Sequence, residues 1–140
     1  MAIVSFPSAH YADEQGLVAI GGDLEVPSLL LAYSQGIFPW PIGEVAPLAW
    51  FSPDPRGILR VDHFHLPQSL KKFMARQKKK KGIEIRFNHN FNAVITHCAE
   101  STHRKDHGTW INQDIIHAYQ LLHQAGYAYS VETYYEEKLV

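Results

Sequence analysis

A chain of 140 residues makes one domain or two very small ones. Lys and Arg number 13 against 14 Asp and Glu, for a formal net charge of −1 with nine neutral histidines; this excludes a wholly basic nucleic-acid coat and a disordered acidic tail. Hydrophobic residues at 46% and charged residues at 19% permit a folded core. Cys98 is the one cysteine, which excludes an intramolecular disulfide and a four-cysteine zinc ribbon. No apolar run nears the ~20 residues that span a bilayer, and the opening residues lack the basic-then-apolar pattern of a signal peptide. A folded cytoplasmic protein is expected.

Residues 1–53 are rich in glycine and proline and read as a small, turn-rich N-terminal domain around one helix. Gly21-Gly22-Asp23 is a turn, and Pro27 to Gln35 is the helix, with proline in its first turn and Gly36 at its C-terminal end. Ile37 to Pro41 is extended, because proline disfavours helical geometry in its predecessor. Ser52 to Arg56 forms a stiff connector, and residues 54–140 make up a second, α+β domain. There the pattern predicts a short strand at Ile58–Val61 and a helix at Pro67–Lys80 with Leu66, Leu70, Phe73 and Met74 on one face. A half-buried strand follows through Ile83, Ile85 and Phe87. Asn90 can cap a helix carrying Phe91, Val94, Ile95, Cys98 and Ala99 at a 3.6-residue period. After a polar loop at Ser101–Gly108, Asn112 can cap a helix to Ala125 that turns Ile115, Ile116, Tyr119 and Leu122 inward and ends at Gly126. Tyr127–Tyr135 is a strand, Glu136-Glu137 a turn, and Lys138-Leu139-Val140 the start of a return strand. So short a return leaves a sheet edge open, and a longer parent chain, cut after Val140, is expected.

The histidines carry no zinc pattern. His63 and His65 would share one face of a strand, and His97, His103 and His107 surround a loop, but no close second pair or carboxylate stands at ligand spacing. They read as exposed polar residues, and no metal is expected. Cys98, inside an apolar stripe, reads as a small buried hydrophobe. No glycine-rich phosphate loop is present. The basic helix is more informative. Lys71, Lys72, Arg76 and Lys79 lie opposite its apolar face, Lys78, Lys80 and Lys81 extend the cluster, and no acid interrupts it. Such segregation in a nearly neutral chain suits docking to the phosphates of RNA. Trp40, Trp50 and Trp110 fall outside the periodic patterns. Lids over a small core and a stacking platform for a base both fit them.

Three blocks go further: Gly16-Leu-Val-Ala-Ile-Gly-Gly-Asp23, Leu30-Leu-Ala-Tyr-Ser-Gln-Gly-Ile-Phe-Pro-Trp40 and Trp50-Phe-Ser-Pro-Asp-Pro-Arg56. With Gly108-Thr109-Trp110-Ile111 and Ser130-Val131-Glu132, in that order, the chain resembles the bacterial leucyl/phenylalanyl-tRNA–protein transferases over essentially its whole length. The resemblance implies a cytoplasmic, monomeric aminoacyltransferase. It would move leucine, phenylalanine or methionine from aminoacyl-tRNA to a protein beginning with Arg or Lys, marking that protein for degradation through the N-end rule. It also implies a second domain like that of the N-acetyltransferases (a GNAT-type fold), here incomplete at the C-terminus, and no metal or organic cofactor. Trp40 and Trp110 would hold the terminal adenosine, and Lys71, Lys72 and Arg76 the tRNA body.

Departures are visible as well. Trp50-Phe51 stands where the family has two tryptophans, and Pro67-Gln68-Ser69 where it has Ser-Arg-Ser. The Gly-Glu-Ser-Met-Phe-Ser block of the amino-acid pocket does not occur in these residues, so no general base is assigned and the 140 residues alone are expected to be inactive. Rival readings are a non-catalytic tRNA-binding fragment and an acetyltransferase using coenzyme A. The latter predicts a glycine-rich pyrophosphate loop at a helix start, which is not found.

Overall fold

The structure, a computed structural model, describes residues 2–41, 47–80, 82–100 and 109–140, and of residues 78–80 the backbone only. It is a mixed α+β chain with two small antiparallel sheets and four α-helices among the described residues. Contacts divide it into two units, one made of Met1–Pro55 with Asn92–Ala128, the other of Arg56–Phe91 with Tyr129–Val140.

In the first unit, β1 (Leu17–Ile20), β2 (Phe38–Pro39) and β3 (Ala49–Phe51) form a sheet in the order β1-β3-β2. Gly16 leads into it at φ 85°, where a Cβ would stand 2.7 Å from the Cα of Pro53. Only glycine fits that approach. Helix α1 (Val26–Ser34) begins with Pro27 in its first turn. The buried Ser28 hydroxyl donates to Asp23 Oδ1 at 2.6 Å and accepts from the Ile3 amide at 2.8 Å. Gly36, at φ 72°, ends the helix: the Ile37 amide donates to the Ala32 carbonyl at 2.9 Å and the Gly36 amide to Tyr33 at 3.1 Å. This is the left-handed glycine closure that satisfies two terminal carbonyls. Helix α4 (Gln113–Gln124) repeats it at Gly126, and starts as expected, with the Asn112 side chain accepting from the Ile115 amide at 2.9 Å.

The core of this unit joins segments far apart in sequence. Leu29, Ala32 and Ile37 from the α1 region and Trp50 from β3 pack with Ala118 and Leu122 of α4. Trp50 is therefore a core residue rather than a loop residue, held by β3 pairing on both sides. Its indole N–H donates to the Gly21 carbonyl at 2.9 Å, and Phe6 meets its ring edge-on. Helix α3 (Phe91–Glu100) buries Ile95. Cys98, expected inside, is exposed: it stands at the margin of the stripe that Ile95 centres.

In the second unit, β4 (Ile83–Phe87), β5 (Val131–Tyr135) and β6 (Lys138–Leu139) form an antiparallel sheet in that order. Glu136 and Glu137, at φ 48° and 64°, make the two-residue turn between β5 and β6, the geometry that matches strand twist in a tight hairpin. Helix α2 (Gln68–Lys80) precedes β4. Two expectations fail here. Ile58–Arg60 is irregular and Val61–His63 is a 3-10 turn, so there is no strand to align His63 with His65: the segment pairs with neither sheet. The strand expected from Tyr127 begins only at Val131, where pairing with Phe87 starts. The Ser101–Gly108 loop, with His103 and His107, and the side chains of Lys78–Lys81 lie outside the described residues.

Candidate tRNA and aminoacyl-adenosine sites

Short-range geometry in the first unit gathers five aromatic side chains. Trp40 follows β2 directly, its amide donating to the Ala49 carbonyl at 2.8 Å. Trp110 precedes the Asn112 cap of α4, and Tyr119 lies on that helix. Tyr33 belongs to α1. The two indoles stack, with centroids 5.3 Å apart and planes 19° from parallel. Tyr119 meets Trp110 edge-on at 6.4 Å, and Tyr33 meets Tyr119 edge-on at 6.5 Å with the two hydroxyls hydrogen-bonded. Phe38 edges against the other indole of the stack, Trp40, at 6.3 Å.

Burial pushes Tyr119 above the usual phenol range, and its bond to Tyr33 adds to the effect. Tyr33 is also raised by burial, against the opposing pull of the same bond. Both are thus neutral near pH 7, serving as hydrogen-bond and packing groups. Beside Trp110 the described residues leave a cavity of about 430 Å³, lined by Pro41, Thr109, Ile111, Asn112 and Gln113 among others. Trp40 remains 44% exposed.

The basic residues belong to the second unit. Lys71, Lys72 and Arg76 are exposed on α2, and no described carboxylate pairs with them. The Arg76 guanidinium lies 5.8 Å from the centroid of the Phe73 ring, so its stem follows the helix while its charge faces solvent. Three exposed cations, unpaired with any described carboxylate, are available to an anionic partner.

Glu132 is a buried charge of the second unit. It accepts from the Asn90 amide at 2.7 Å, from the Ser130 hydroxyl at 2.7 Å and from the Tyr134 hydroxyl at 3.0 Å. Burial pushes its carboxyl up, but these donors and the His89 amide outweigh that and hold it below the usual carboxylate range. Arg86 lies over the Tyr134 ring at 4.2 Å and bonds Glu84 and Glu137. Every oxygen of Glu132 is committed to holding backbone and neighbours, which makes it a structural carboxylate. No group of three or more His, Cys, Asp or Glu among the described residues is arranged to hold a metal ion, and no described helix is long and apolar enough to cross a membrane.

Comparison with known proteins decides the family. The family profile described as leucyl/phenylalanyl-tRNA protein transferase matches residues 58–140, and the profile of that enzyme's N-terminal domain matches residues 22–54. The chain belongs to the leucyl/phenylalanyl-tRNA–protein transferase family. Relatives bearing that name include one from Syntrophotalea carbinolica, 46% identical over 96% of this chain and 56% of its own length. The Myxococcus xanthus relative is 46% identical over 96% and 55%, and one from an Enterobacter species 45% identical over 98% and 56%. The chain thus spans a little over half the length of these curated transferases.

For this transferase-family chain, Trp40 and Trp110 are brought together as a pair, while Lys71, Lys72 and Arg76 share one helix of the other unit. Sequence reasoning missed Tyr33 and Tyr119 as partners of the indoles. Tyr119 falls at a core-facing helical position, so its period spoke for packing alone. Only the pairing of α1 with α4, invisible in either helix by itself, sets the two hydroxyls against each other.

Proposed function

We propose that the chain serves aminoacyl transfer from aminoacyl-tRNA to a protein amine, with leucine, phenylalanine or methionine as the group moved and an N-terminal Arg or Lys as acceptor. The observation that carries this reading is the family match over residues 22–54 and 58–140. The protein product would be a degradation signal of the N-end rule, made in the cytoplasm where charged tRNA is found, by a monomeric enzyme. In the reaction a neutral α-amine attacks the ester carbonyl joining amino acid to ribose. The C–O bond to the ribose breaks, and the released hydroxyl takes up a proton as the amine loses one. Because the ester is already activated, the protein's task is placement of the two reactants and stabilisation of the oxyanion. No cofactor enters this balance.

Trp40 and Trp110 are assigned to the terminal adenosine. Their stacked rings leave no gap for a base, since an intercalated ring needs roughly 7 Å between planes; adenine would part them or stack on the exposed surface of Trp40. Lys71, Lys72 and Arg76 are assigned to tRNA phosphates, supported by their exposure and by the lack of counter-ions among the described residues. The second unit, with its β4-β5-β6 meander, is read as the opening part of an N-acetyltransferase-like domain. Because the chain spans 56% of its Syntrophotalea relative, we assign to these 140 residues the docking of tRNA and adenosine, without turnover. Incubation with leucyl-tRNA and an Arg-initiated peptide tests this: no Leu-Arg-peptide is expected from this chain alone, whereas leucyl-tRNA should bind it in preference to free leucine. Absence of tRNA binding would refute the reading.

A further inference from the structure

Stacking uses one face of each ring, and Trp40 and Trp110 already spend such a face on each other. Their centroids lie 5.3 Å apart with planes 19° from parallel, an arrangement that a stacked base also adopts. The two rings are held very differently. Trp110 leads into α4, its carbonyl accepting from the Asn112 amide at 3.1 Å. Its indole meets Tyr119 of that helix edge-on. Tyr119 packs against the core, and its hydroxyl is bonded to that of Tyr33 on α1. Two helices therefore brace this ring. Trp40 is pinned through its backbone by the Ala49 carbonyl, while its side chain, with Phe38 at one edge, is 44% exposed. Rotation about its side-chain bonds swings Trp40 away and leaves β2 intact, whereas movement of Trp110 strains the Tyr119–Tyr33 brace.

We propose that the face of Trp110 beneath Trp40 is the platform for the terminal adenine, that Trp40 is an internal stand-in which the base displaces, and that Tyr119 and Tyr33 are positioning residues that keep the platform still. Resting on the assignment of the pair to the adenosine of aminoacyl-tRNA, this geometry parts the indoles instead of adding a base outside Trp40. The stack itself carries it, because a planar nitrogen heterocycle is already seated on Trp110. Exchange of one ring for another keeps that face covered in both states, and the brace holds it in stacking orientation before the base arrives. Trp110 also lines the cavity of about 430 Å³ with Pro41, Ile111 and Asn112, which leaves room for the sugar beside the platform. An aromatic pair of this kind favours the closed form about two- to twelvefold, and apparent affinity for a base falls by a similar factor.

The test titrates the trinucleotide CCA, the sequence that ends a tRNA, into the 140-residue protein and follows the indole N–H signals by proton–nitrogen NMR. Trp110→Ala should lower affinity about fivefold or more, since the platform is lost. Trp40→Ala should stay within about threefold of the parent, because loss of a stacking partner is offset by loss of the competitor. Tyr33→Phe should lower affinity about threefold in the parent and leave it unchanged in the Trp110→Ala background, where no platform remains to be held. In the free protein, exchange broadening should mark the Trp40 indole N–H and spread to Trp110 in Tyr33→Phe; a hydroxyl that served stability alone would not move these signals. Three results overturn the proposal and leave the adenosine assignment standing. One is Trp40→Ala as damaging as Trp110→Ala, which puts the base on the outer face of Trp40. The others are an equal effect of Tyr33→Phe in both backgrounds, and broadening at Trp110 in place of Trp40. Failure of the parent and every variant to bind CCA overturns the adenosine assignment as well, so the two failures are distinct.

Discussion

Tyr33 of α1 and Tyr119 of α4 share a hydrogen bond between their hydroxyls, and through it the ring that edges Trp110 is tied to a second helix. Removing one partner should loosen that tie. Tyr33→Phe is expected to cost about 0.5–1.5 kcal/mol in urea unfolding. The pH dependence has a definite sign. Burial raises both phenols above their ordinary value of 10.0, so their neutral forms favour the fold. That contribution is complete below pH 10 and is lost as pH climbs beyond it. Tyr119→Phe should flatten this alkaline loss, and an unchanged alkaline limb would contradict the burial argument.

At the acid end the sign reverses. Glu132 is held below its ordinary value of 4.5, so its ionised form favours the fold above that pH, and the contribution drains away as pH falls through the lowered value. Glu132→Gln should be strongly destabilising at pH 7, because the amide replaces an oxygen acceptor with a donor facing the Asn90 amide and two hydroxyls. The gap between parent and variant should narrow from pH ~7 to pH ~3. Denaturant midpoints across that range would show it, and a constant gap would assign the effect to packing alone.

Two tryptophans should respond in opposite ways. Trp110→Ala is expected to weaken binding of aminoacyl-tRNA by roughly 1–3 kcal/mol if its ring stacks a base, with a smaller effect on stability. Trp50→Ala empties the centre of the core and breaks the bond to Gly21; it should cost about 3–5 kcal/mol of stability. Equal behaviour in both assays would dissolve the distinction between the two rings.

For α2, the replacement of Lys71, Lys72 and Arg76 by alanine should reduce the slope of log affinity against log salt by roughly 0.7–0.9 for each lost phosphate contact. The reduction should be similar for tRNAs of different sequence, since phosphates carry no base information. Parallel lines of equal slope, at any affinity, would remove these residues from the interface.

Local chemistry was legible wherever one residue decides it. The Asn112 cap, the closures at Gly36 and Gly126 and the Glu136–Glu137 turn all stand where the residue types point. Partners were not legible. Ile58–Val61 has strand-like residues, but alternation supplies no neighbour to pair with, and the segment stays irregular. Periodicity marks Ile115, Ile116, Tyr119 and Leu122 as inward, yet nothing in α4 says that inward means against α1 and Trp50. In the same way Trp50 and Trp40 look alike in sequence; the register that sets Pro39 opposite Trp50 fixes one ring in the core and leaves Trp40 just past the end of the strand.

All three tryptophans lie in the first unit, and none in the second. Indole fluorescence consequently follows the core around Trp50 and the stack at Trp40 and Trp110, and has no probe inside the α2–β4–β5–β6 unit. The stacked pair adds a second optical handle, since two indoles this close couple their excited states and give a paired band in circular dichroism. Parting of the rings by a base would erase that band while the Trp50 emission stayed constant, so ligand entry and unfolding have separate colours in the same cuvette.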